Sequence, residues 1–338
     1  MSNLRPHPWS RREFLATTSC AVTGGLVDLI PHRAAAEPPP ETATLRITRA
    51  SGACVAAPLH VAEELLPAEG FTDLRHVSAL GRSADELASD RADIGIDFVG
   101  PLAIRVDAGA PLLLLAGVHT GCHEVFARPG VDSLTGLRGR TVAIPAHGSG
   151  EHIFLSTMLA YAGVDPRQVM WVARPPAEAM RLLSAGEVDA VPTFPPTAYE
   201  FRRRKAGRTL VNTSTDPPWF RHFCCMVAAT RDFVQRHPIA AKRALRAILK
   251  GADVCAQEPE RVASGLVGRG VTATQDDLVQ ILKENAYAKW RDLDPEATVR
   301  FHALHLRGAG MITSPPESIL ARGTDWRFLR ELKIELKG

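Results

Sequence analysis

Short apolar runs alternate with longer runs of helical spacing between residues 44 and 191. Residues 44–48 alternate polar and apolar side chains, which is typical of a strand with one buried face. Residues 112–118 are almost all apolar, which indicates a strand buried on both faces of a parallel sheet. A helix with one apolar face is expected to begin near Pro58, because proline is favoured in the first turn of a helix. The pattern therefore predicts strands that alternate with helices.

This alternation occurs twice along the chain. The second series contains a helix that Ser149 is expected to cap and Gly163 to end. After residue 231 the spacing becomes mostly helical, and Pro238 is expected to open a long helix. Two successive series predict an α/β protein with two lobes, each built on a parallel-dominated sheet. The remaining predicted strands cover residues 74–78, 92–97, 141–145, 169–172 and 188–191.

The N-terminus resembles an export signal. Two adjacent arginines, Arg11 and Arg12, precede the apolar pair Phe14-Leu15, as in the twin-arginine pattern. An apolar stretch follows over residues 16–30, but it is too short and too rich in Gly, Thr and Ser to span a bilayer as a stable helix. Small residues up to Ala36 offer a cleavage site. We expect residues 1–36 to be removed, leaving a soluble periplasmic protein.

The net charge and length of the chain without its leader limit the class of protein to which it can belong. The leader contains four arginines and two acidic residues, so its removal lowers the net charge from +3 to +1. A nearly neutral protein lacks the basic field that a nucleic-acid partner requires. Residues 37–43 are polar and rich in proline, which predicts a linker. Residues 44–338 are numerous enough to form two domains with cores of their own.

Five short sequence motifs resemble those of the sulfonate/nitrate/taurine-type periplasmic binding proteins of ABC transporters and occur in the same order. That family is related to the thiamine-pyrimidine synthases. The resemblance implies a type II periplasmic-binding fold with a ligand cleft between two α/β lobes. Lobe one would comprise residues 44–118 and the returning residues 224–338, and lobe two residues 119–223. Crossovers between the lobes would lie near residues 118–124 and 222–227. The five motifs are residues 91–97, 134–143, 163–166, 185–190 and 231–238.

The loops that follow predicted strands are the expected ligand contacts, because open α/β sheets bind ligands at the carboxyl ends of their strands. Small residues there let a ligand approach backbone N–H groups at helix N-termini. The predicted contacts in lobe one are Ser51, Gly52, Cys54, Arg82 and Asp97, with His119 at the first crossover. Those in lobe two are Gly148, Ser149, Gly150, Thr193, Phe194, Asp216 and Trp219.

Several of these residues have an alternative structural role. Ser149 can act as a helix cap without touching a ligand. Asp97 can bind a ligand amine or, as the sequence slightly favours, cap the helix that follows Pro101. Arg82 can pair with a sulfonate or carboxylate, although a single arginine is more often a solvated surface group. Trp219 can be a packing residue instead.

The cysteines do not form a disulfide framework. Five remain after removal of the leader, which is an odd number at irregular spacing. The two crossovers are rich in histidine and cysteine, which zinc or iron could bind. Neighbouring strand residues point to opposite faces, however, so few of these groups should converge, and we expect no metal and no cofactor. We expect Cys122 to lie beside Cys224 or Cys225 as a reduced, buried thiol, with Cys54 and Cys255 remote from them or loosely placed.

The sequence favours a binding protein without catalytic activity. Neither a G-x-S-x-G motif nor a phosphate-binding G-x-x-x-x-G-K-[ST] motif is present. The expected partners are a small solute, which the resemblance implies to be an organic anion, and the permease of an ABC importer. We expect the protein to be a monomer. The alternatives are a pyrimidine-synthase-like enzyme or metal-dependent scavenger on the same fold and, disfavoured by the export signal, the sensing domain of a regulator.

Overall fold

Two five-stranded sheets form the framework of the protein, as seen in a computed structural model that describes residues 37–49, 52–78, 82–269, 271 and 273–337. The predicted leader, residues 1–36, lies outside the described residues. We call the lobe that contains the first sheet lobe one and the lobe that contains the second sheet lobe two. The predicted α/β architecture with two lobes is confirmed.

The sheet of lobe one has the strand order β2-β1-β3-β10-β4. β1 is parallel to β2 and β3, whereas β10 is antiparallel to both β3 and β4. β10 runs against the others because it returns from lobe two and enters the middle of the sheet. All nine residues of β4 are buried, as their apolar run predicts. The strands are β1 (Thr44–Arg49), β2 (Asp73–Ser78), β3 (Ile94–Phe98), β4 (Leu112–Thr120) and β10 (Phe223–Thr230).

The sheet of lobe two repeats this plan with the order β7-β6-β8-β5-β9. β6 is parallel to β7 and β8, and β5, which enters from lobe one, is antiparallel to β8 and β9. Both sheets are thus mixed, although four of the five strands in each share one direction. The strands are β5 (Glu124–Ala127), β6 (Thr141–Ile144), β7 (Met170–Ala173), β8 (Ala190–Thr193) and β9 (Arg208–Asn212).

Helices cover the faces of the two sheets, and those after β10 pack mainly on lobe one. Among the described residues, none of the helices combines the length and apolar character that a membrane crossing requires. The helices before β10 are α1 (Ala53–Leu65), α2 (Ser83–Ala88), α3 (Val99–Asp107), α4 (Gly150–Tyr161), α5 (Pro176–Ser184) and α6 (Thr197–Arg204). Those after it are α7 (Arg231–Arg236), α8 (Pro238–Gln257), α9 (Pro259–Leu266), α10 (Gln275–Glu284), α11 (Pro295–Gly308), α12 (Pro316–Gly323) and α13 (Arg327–Glu335).

Helix α1 begins earlier than the sequence predicts. It starts at Ala53, so Pro58 lies inside the helix rather than at its start. A proline at this position cannot donate a hydrogen bond to the carbonyl four residues earlier, which belongs to Cys54. The hydroxyl of Tyr287 donates to that carbonyl instead, at 2.9 Å. A contact from the C-terminal helices thus replaces the bond that Pro58 removes.

The predicted linker is anchored at its C-terminal end. The carboxylate of Glu41 accepts hydrogen bonds from the backbone N–H groups of Ile239 and Ala240, each at 2.9 Å. Those residues form the first turn of α8, where unpaired N–H groups and the helix dipole favour a negative charge. Glu41 therefore caps α8 from outside that helix.

Candidate ligand-binding cleft

A pocket of about 360 Å³ lies between the two lobes. It is formed where β3 and β6 end and the helices that follow them begin, as expected for sheets of this type. The residues that line it from lobe one are Gly52, Val55, Arg82, Ser83, Asp85, Ile96, Asp97 and Phe98. Those that line it from lobe two are Ala146, His147, Gly148, Ser149, Gly150, Glu151 and Phe194.

The lobe-two wall is the N-terminus of α4. The Ser149 hydroxyl oxygen accepts a hydrogen bond from the backbone N–H of His152 at 3.3 Å, so Ser149 is the helix cap that the sequence predicts. Gly148 has a φ of +75°, a conformation that glycine adopts at little cost. A Cβ atom at Gly150 would lie 2.9 Å from the ring of Phe98. Glycine at this position therefore lets the two lobes approach closely.

Arg82 of lobe one reaches across the pocket to lobe two. One Nη of its guanidinium donates a hydrogen bond to the carbonyl oxygen of Gly148. Its Nε and the hydroxyl of Ser83 are buried and have no hydrogen-bond partner among the described residues. Asp85 is the nearest acidic partner, with 4.0 Å between the Arg82 Nη2 and the carboxylate. The pocket thus contains a cation whose donors are only partly satisfied by the protein.

Asp97 caps a helix, but a different one from the helix that the sequence indicates. Its carboxylate accepts hydrogen bonds from the backbone N–H groups of Ala84 and Phe98, each at 2.7 Å. Ala84 lies in the first turn of α2, whereas the prediction was the helix after Pro101. Burial raises the pKa of Asp97 to about 6, although both hydrogen bonds lower it. The side chain therefore orders the α2 end of the pocket.

Aromatic rings separate the pocket from the protein interior. The rings of Phe98 and Phe194 meet edge to face with centroids 5.3 Å apart. Below them, the ring of His123 lies 4.6 Å from Phe98 and stacks on Phe154 at 4.0 Å. Edge-to-face and offset pairs of this kind are favourable arrangements of aromatic rings. The pocket therefore has an apolar floor beside its charged and helix-capping groups.

A buried group of thiols lies beneath this floor, where the two crossovers run side by side. Thr120 and His119 at the end of β4 pair with Phe223 and Cys225 of β10, as predicted for adjacent crossovers. The Sγ atoms of Cys122 and Cys224 are 2.8 Å apart, so the prediction for this pair is confirmed. We call the following set the crossover cluster: Cys54, His119, Cys122, Cys224 and Cys225.

Two predictions about these residues are wrong. Cys54 is not remote, because its Sγ lies within 4.8 Å of ligand atoms of His119 and Cys225. The thiols of Cys224 and Cys225 also converge instead of diverging, since both lie within 4.8 Å of the Cys122 Sγ. The pairing of β10 with β4 shifts register on both sides of Cys225, and such an irregularity redirects side chains. Cys122 has a φ of +112°, which turns its side chain out of a regular strand path.

The thiols of the crossover cluster differ in the direction in which their surroundings shift the pKa. Hydrogen bonds from Cys122 and Cys225 hold the pKa of Cys54 well below its ordinary value. Burial alone would raise the pKa of Cys224, but hydrogen bonds from Cys122 and Cys225 lower it well below that value. Burial raises the pKa of both Cys122 and Cys225. Hydrogen bonding within the crossover cluster therefore lowers the pKa of two thiols, while burial raises that of the other two.

A second set of polar contacts joins the lobes outside the pocket lining. Arg202 of α6 in lobe two pairs with Glu284 of α10, at 3.1 Å, and with the buried Glu124. The Tyr199 hydroxyl donates a hydrogen bond to Glu284 at 2.5 Å. Burial and the neighbouring Glu284 raise the pKa of Tyr199, so it remains a donor. The basic run at the end of α6 therefore includes an arginine that connects the lobes.

The NMT1/THI5-like family model matches residues 77–262, which is more than half of the 338-residue chain. The chain belongs to the NMT1/THI5-like family. The match includes both crossovers and the lobe-two wall of the pocket. No curated protein sequence matches the chain.

Solved structures show that this member of the NMT1/THI5-like family has the fold of periplasmic binding proteins. The nitrate-binding protein NrtA of Synechocystis PCC 6803 has a TM-score of 0.68 at 16% identity, over 89% of this chain and 90% of that chain. A putative sulfonate-binding protein SsuA of Methylobacillus flagellatus KT has a TM-score of 0.66 at 18% identity, over 87% and 94%. The alkanesulfonate-binding protein SsuA of Xanthomonas axonopodis pv. citri, bound to MOPS, has a TM-score of 0.66 at 17% identity, over 85% and 99%.

The structure brings only some of the predicted contact residues into the pocket of this NMT1/THI5-like protein. Ser51 lies outside the described residues. Cys54 and His119 belong to the crossover cluster instead, and Thr193 is buried at the end of β8, outside the pocket lining. The residues that are in the pocket are Gly52, Arg82, Asp97, Gly148, Ser149, Gly150 and Phe194.

Two further predicted contacts have structural roles. Asp216 was expected to face the cleft, but its carboxylate accepts a hydrogen bond from the backbone N–H of Asn212 at 2.8 Å, which closes a turn. Trp219 is 5% exposed and packs in the lobe-two core. Sequence reasoning missed eight further lining residues, four of which directly follow a residue that it selected: Val55, Ser83, Phe98 and Glu151. Their position next to a predicted contact residue is the signal that could have identified them.

Proposed function

We propose that the chain is a periplasmic substrate-binding protein of an ABC importer that holds a small organic anion in the interlobe pocket. The main support is Arg82, a cation placed in a pocket between two lobes, with a buried Nε that lacks a partner among the described residues. In this proposal lobe one comprises residues 44–118 and 224–338, and lobe two residues 119–223. Closure of the lobes over the solute would complete the site.

The donors in the pocket suit a single anionic head group. The N-termini of α1 and α4 border the pocket at Gly52 and Ser149, and helix N-termini favour negative charge. The carboxylates of Asp85 and Glu151 lie on the same walls and would repel a second anionic group. We therefore propose a monoanion such as a sulfonate or carboxylate, rather than a dianion.

The apolar part of the pocket suits a carbon skeleton on that anion. Val55, Phe98 and Phe194 line the pocket together with the charged groups. The volume of about 360 Å³ lies within the range of small-molecule pockets, roughly 300–1,000 Å³. The similar structures named above include proteins described as binding nitrate and alkanesulfonates. An organic sulfonate would contact both the charged groups and the apolar side chains of this pocket.

The proposal also includes the route to the periplasm. The twin arginines Arg11 and Arg12 would direct export of the folded chain, with cleavage near Ala36. The mature protein would act as a monomer and deliver its solute to a membrane permease. It would neither bind nucleic acid nor change its solute chemically.

A ligand screen tests this proposal. Thermal shift measurements, followed by calorimetry of the hits, would compare alkyl and aryl sulfonates, carboxylates, nitrate, sulfate and amines. We expect monoanions with an apolar part to raise the melting temperature and sulfate to leave it unchanged. Recovery of the bound compound unaltered supports a binding protein, whereas its consumption would favour the synthase-like alternative. If amines bind and no anion does, the proposed ligand class is wrong.

A further inference from the structure

The crossover cluster joins three parts of the chain at one buried point. Cys54 comes from the first turn of α1, Cys122 from the first crossover and Cys224 from the second. Their ligand atoms form two triads, in each of which all atoms lie within 4.8 Å of one another. One triad is Cys54, His119 and Cys225, and the other is Cys122, Cys224 and Cys225. Because Cys225 belongs to both, the five groups form one connected set.

Packing alone does not account for His119. Thiols can pack as small apolar groups, but an imidazole ring needs partners for both nitrogen atoms. The His119 side chain is fully buried, and its Nδ1 lies 3.4 Å from the backbone carbonyl of Thr120, which can only accept. The Nε2 atom then carries a lone pair and makes no hydrogen bond of good geometry among the described residues, although the Cys54 thiol interacts with the ring. A buried acceptor of this kind is unfavourable unless a donor or a metal ion satisfies it.

A metal ion would explain both features of the ring. Histidines that bind metals usually direct their other ring nitrogen to a carboxylate or a backbone carbonyl, which fixes the tautomer. The contact of His119 with Thr120 has this form. We propose that the crossover cluster binds one thiophilic metal ion of the Zn²⁺ or Cu⁺ type.

The chemistry of the donors selects this class of ion. Thiolate and imidazole ligands favour Zn²⁺ or Cu⁺, whereas Mg²⁺ and Ca²⁺ prefer oxygen ligands. Neither triad contains a carboxylate. Two thiolates on one tetrahedral zinc ion, with Zn–S bonds of about 2.3 Å, lie roughly 3.8 Å apart. That spacing falls within the extent of each triad, and the Cys122 and Cys224 sulfur atoms, now 2.8 Å apart, would separate on binding.

The position of the ion implies a structural role at the base of the cleft. The Nδ1 of His123 lies 3.5 Å from the Cys122 Sγ and 3.4 Å from the Cys224 Sγ, and its ring packs against Phe98 in the pocket floor. The cluster itself is buried beneath that floor and offers no surface to a solute. The ion would hold α1 and both crossovers in place without contacting the ligand. This inference is therefore independent of the proposed solute.

Metal content, cobalt spectroscopy and mass spectrometry test the proposal. The full chain, purified without oxygen after growth with Zn²⁺ or Cu⁺, should contain about one ion per chain. Loading with Co²⁺ should give the charge-transfer bands of cobalt–thiolate bonds and the intense visible bands of tetrahedral coordination. Cys225→Ser should lower both the metal content and these bands at least tenfold. Cys255→Ser is the matched control, because Cys255 is buried in α8 outside both triads, and it should retain them.

Three results would overturn the proposal. The first is wild-type protein that holds less than a tenth of an ion per chain after exposure to both metals. The second is an equal loss of metal in Cys255→Ser and Cys225→Ser. The third is a Cys122–Cys224 disulfide in protein that was never exposed to oxygen, seen by mass spectrometry. Should Cys225→Ser fail to fold, the wild-type metal content and cobalt spectrum decide the question without it.

Discussion

The hydroxyl of Tyr199 on α6 donates a hydrogen bond of 2.5 Å to the carboxylate of Glu284 on α10, and so connects lobe two with a helix that packs on lobe one. Arg202, one turn along α6, binds the same carboxylate at 3.1 Å. Both contacts are partly shielded from water, which makes them stronger than exposed ion pairs. Glu284 thus holds two donors from the opposite lobe.

Tyr199→Phe should weaken the contact between the lobes. The change removes a hydrogen bond to a charged group, and we expect the free energy of unfolding to fall by about 1.5–3 kcal/mol. We also expect a larger radius of gyration in the absence of ligand, measured by small-angle X-ray scattering. Arg204→Met is the control, because Arg204 pairs with Glu200 within the same helix and is exposed. Equal behaviour of the two variants would show that Glu284 does not hold the lobes together.

Export should depend on the adjacent pair of arginines in the leader. Replacing Arg11 and Arg12 with lysine should leave the precursor in the cytoplasm, because the twin-arginine route requires this pair. Cell fractionation followed by immunoblotting measures the distribution. The control replaces Arg5 and Arg33 with lysine, which makes the same change at two leader positions outside the pair. Periplasmic yields that do not differ between the two variants would contradict the twin-arginine assignment.

The fold was predictable where local pattern and burial agree. The apolar run of β4 predicts a buried strand because no polar residue interrupts it, and all nine residues are buried. The start of α1 was not predictable, because a proline in a helix interior is normally costly. The contact that compensates for Pro58 comes from Tyr287, which lies 233 residues away from Cys54. No local signal reports such a distant partner.

In the site, too, features with a local sequence signal were predictable, and features that depend on contacts between distant residues were not. Asp97 and Ser149 could be found because strand ends and helix caps have local signatures. The convergence of Cys224 and Cys225 depends on a shift in the pairing of β10 with β4, which only the folded sheet shows. The sequence could place the crossovers side by side, but it could not bring Cys54 to them.

Asp97 should make the free energy of unfolding depend on pH between about 4 and 6, and Asp97→Asn should remove that dependence. Its pKa is raised from 3.8 to about 6 by burial, so the folded state binds the proton more tightly than the unfolded state. Its contribution to stability is complete below about pH 4 and is lost as the pH rises through about 6. Between these values we expect wild-type stability to fall relative to Asp97→Asn, by at most about 3 kcal/mol.

Urea denaturation at intervals of pH measures this difference. The control is Asp165→Asn, an exposed aspartate whose pKa is lowered by hydrogen bonding to Arg167. A lowered pKa contributes stability that is lost only as the pH falls below about 4, so this variant should leave the window unchanged. Parallel curves for the wild type and Asp97→Asn would show that Asp97 ionises normally in the folded protein.

Arg82→Met should lower the affinity for an organic anion, because it removes the pocket cation while keeping a long side chain. A hydrogen bond to a charged group contributes about 1.5–3 kcal/mol, which corresponds to a loss of roughly 10- to 100-fold in Kd. Calorimetry with a hit from the anion screen measures the change. Arg75→Met is the control, because Arg75 pairs with Asp73 on β2 outside the pocket. If Arg82→Met binds the anion as tightly as Arg75→Met does, Arg82 does not contact the head group, and the helix N-termini alone would have to bind it.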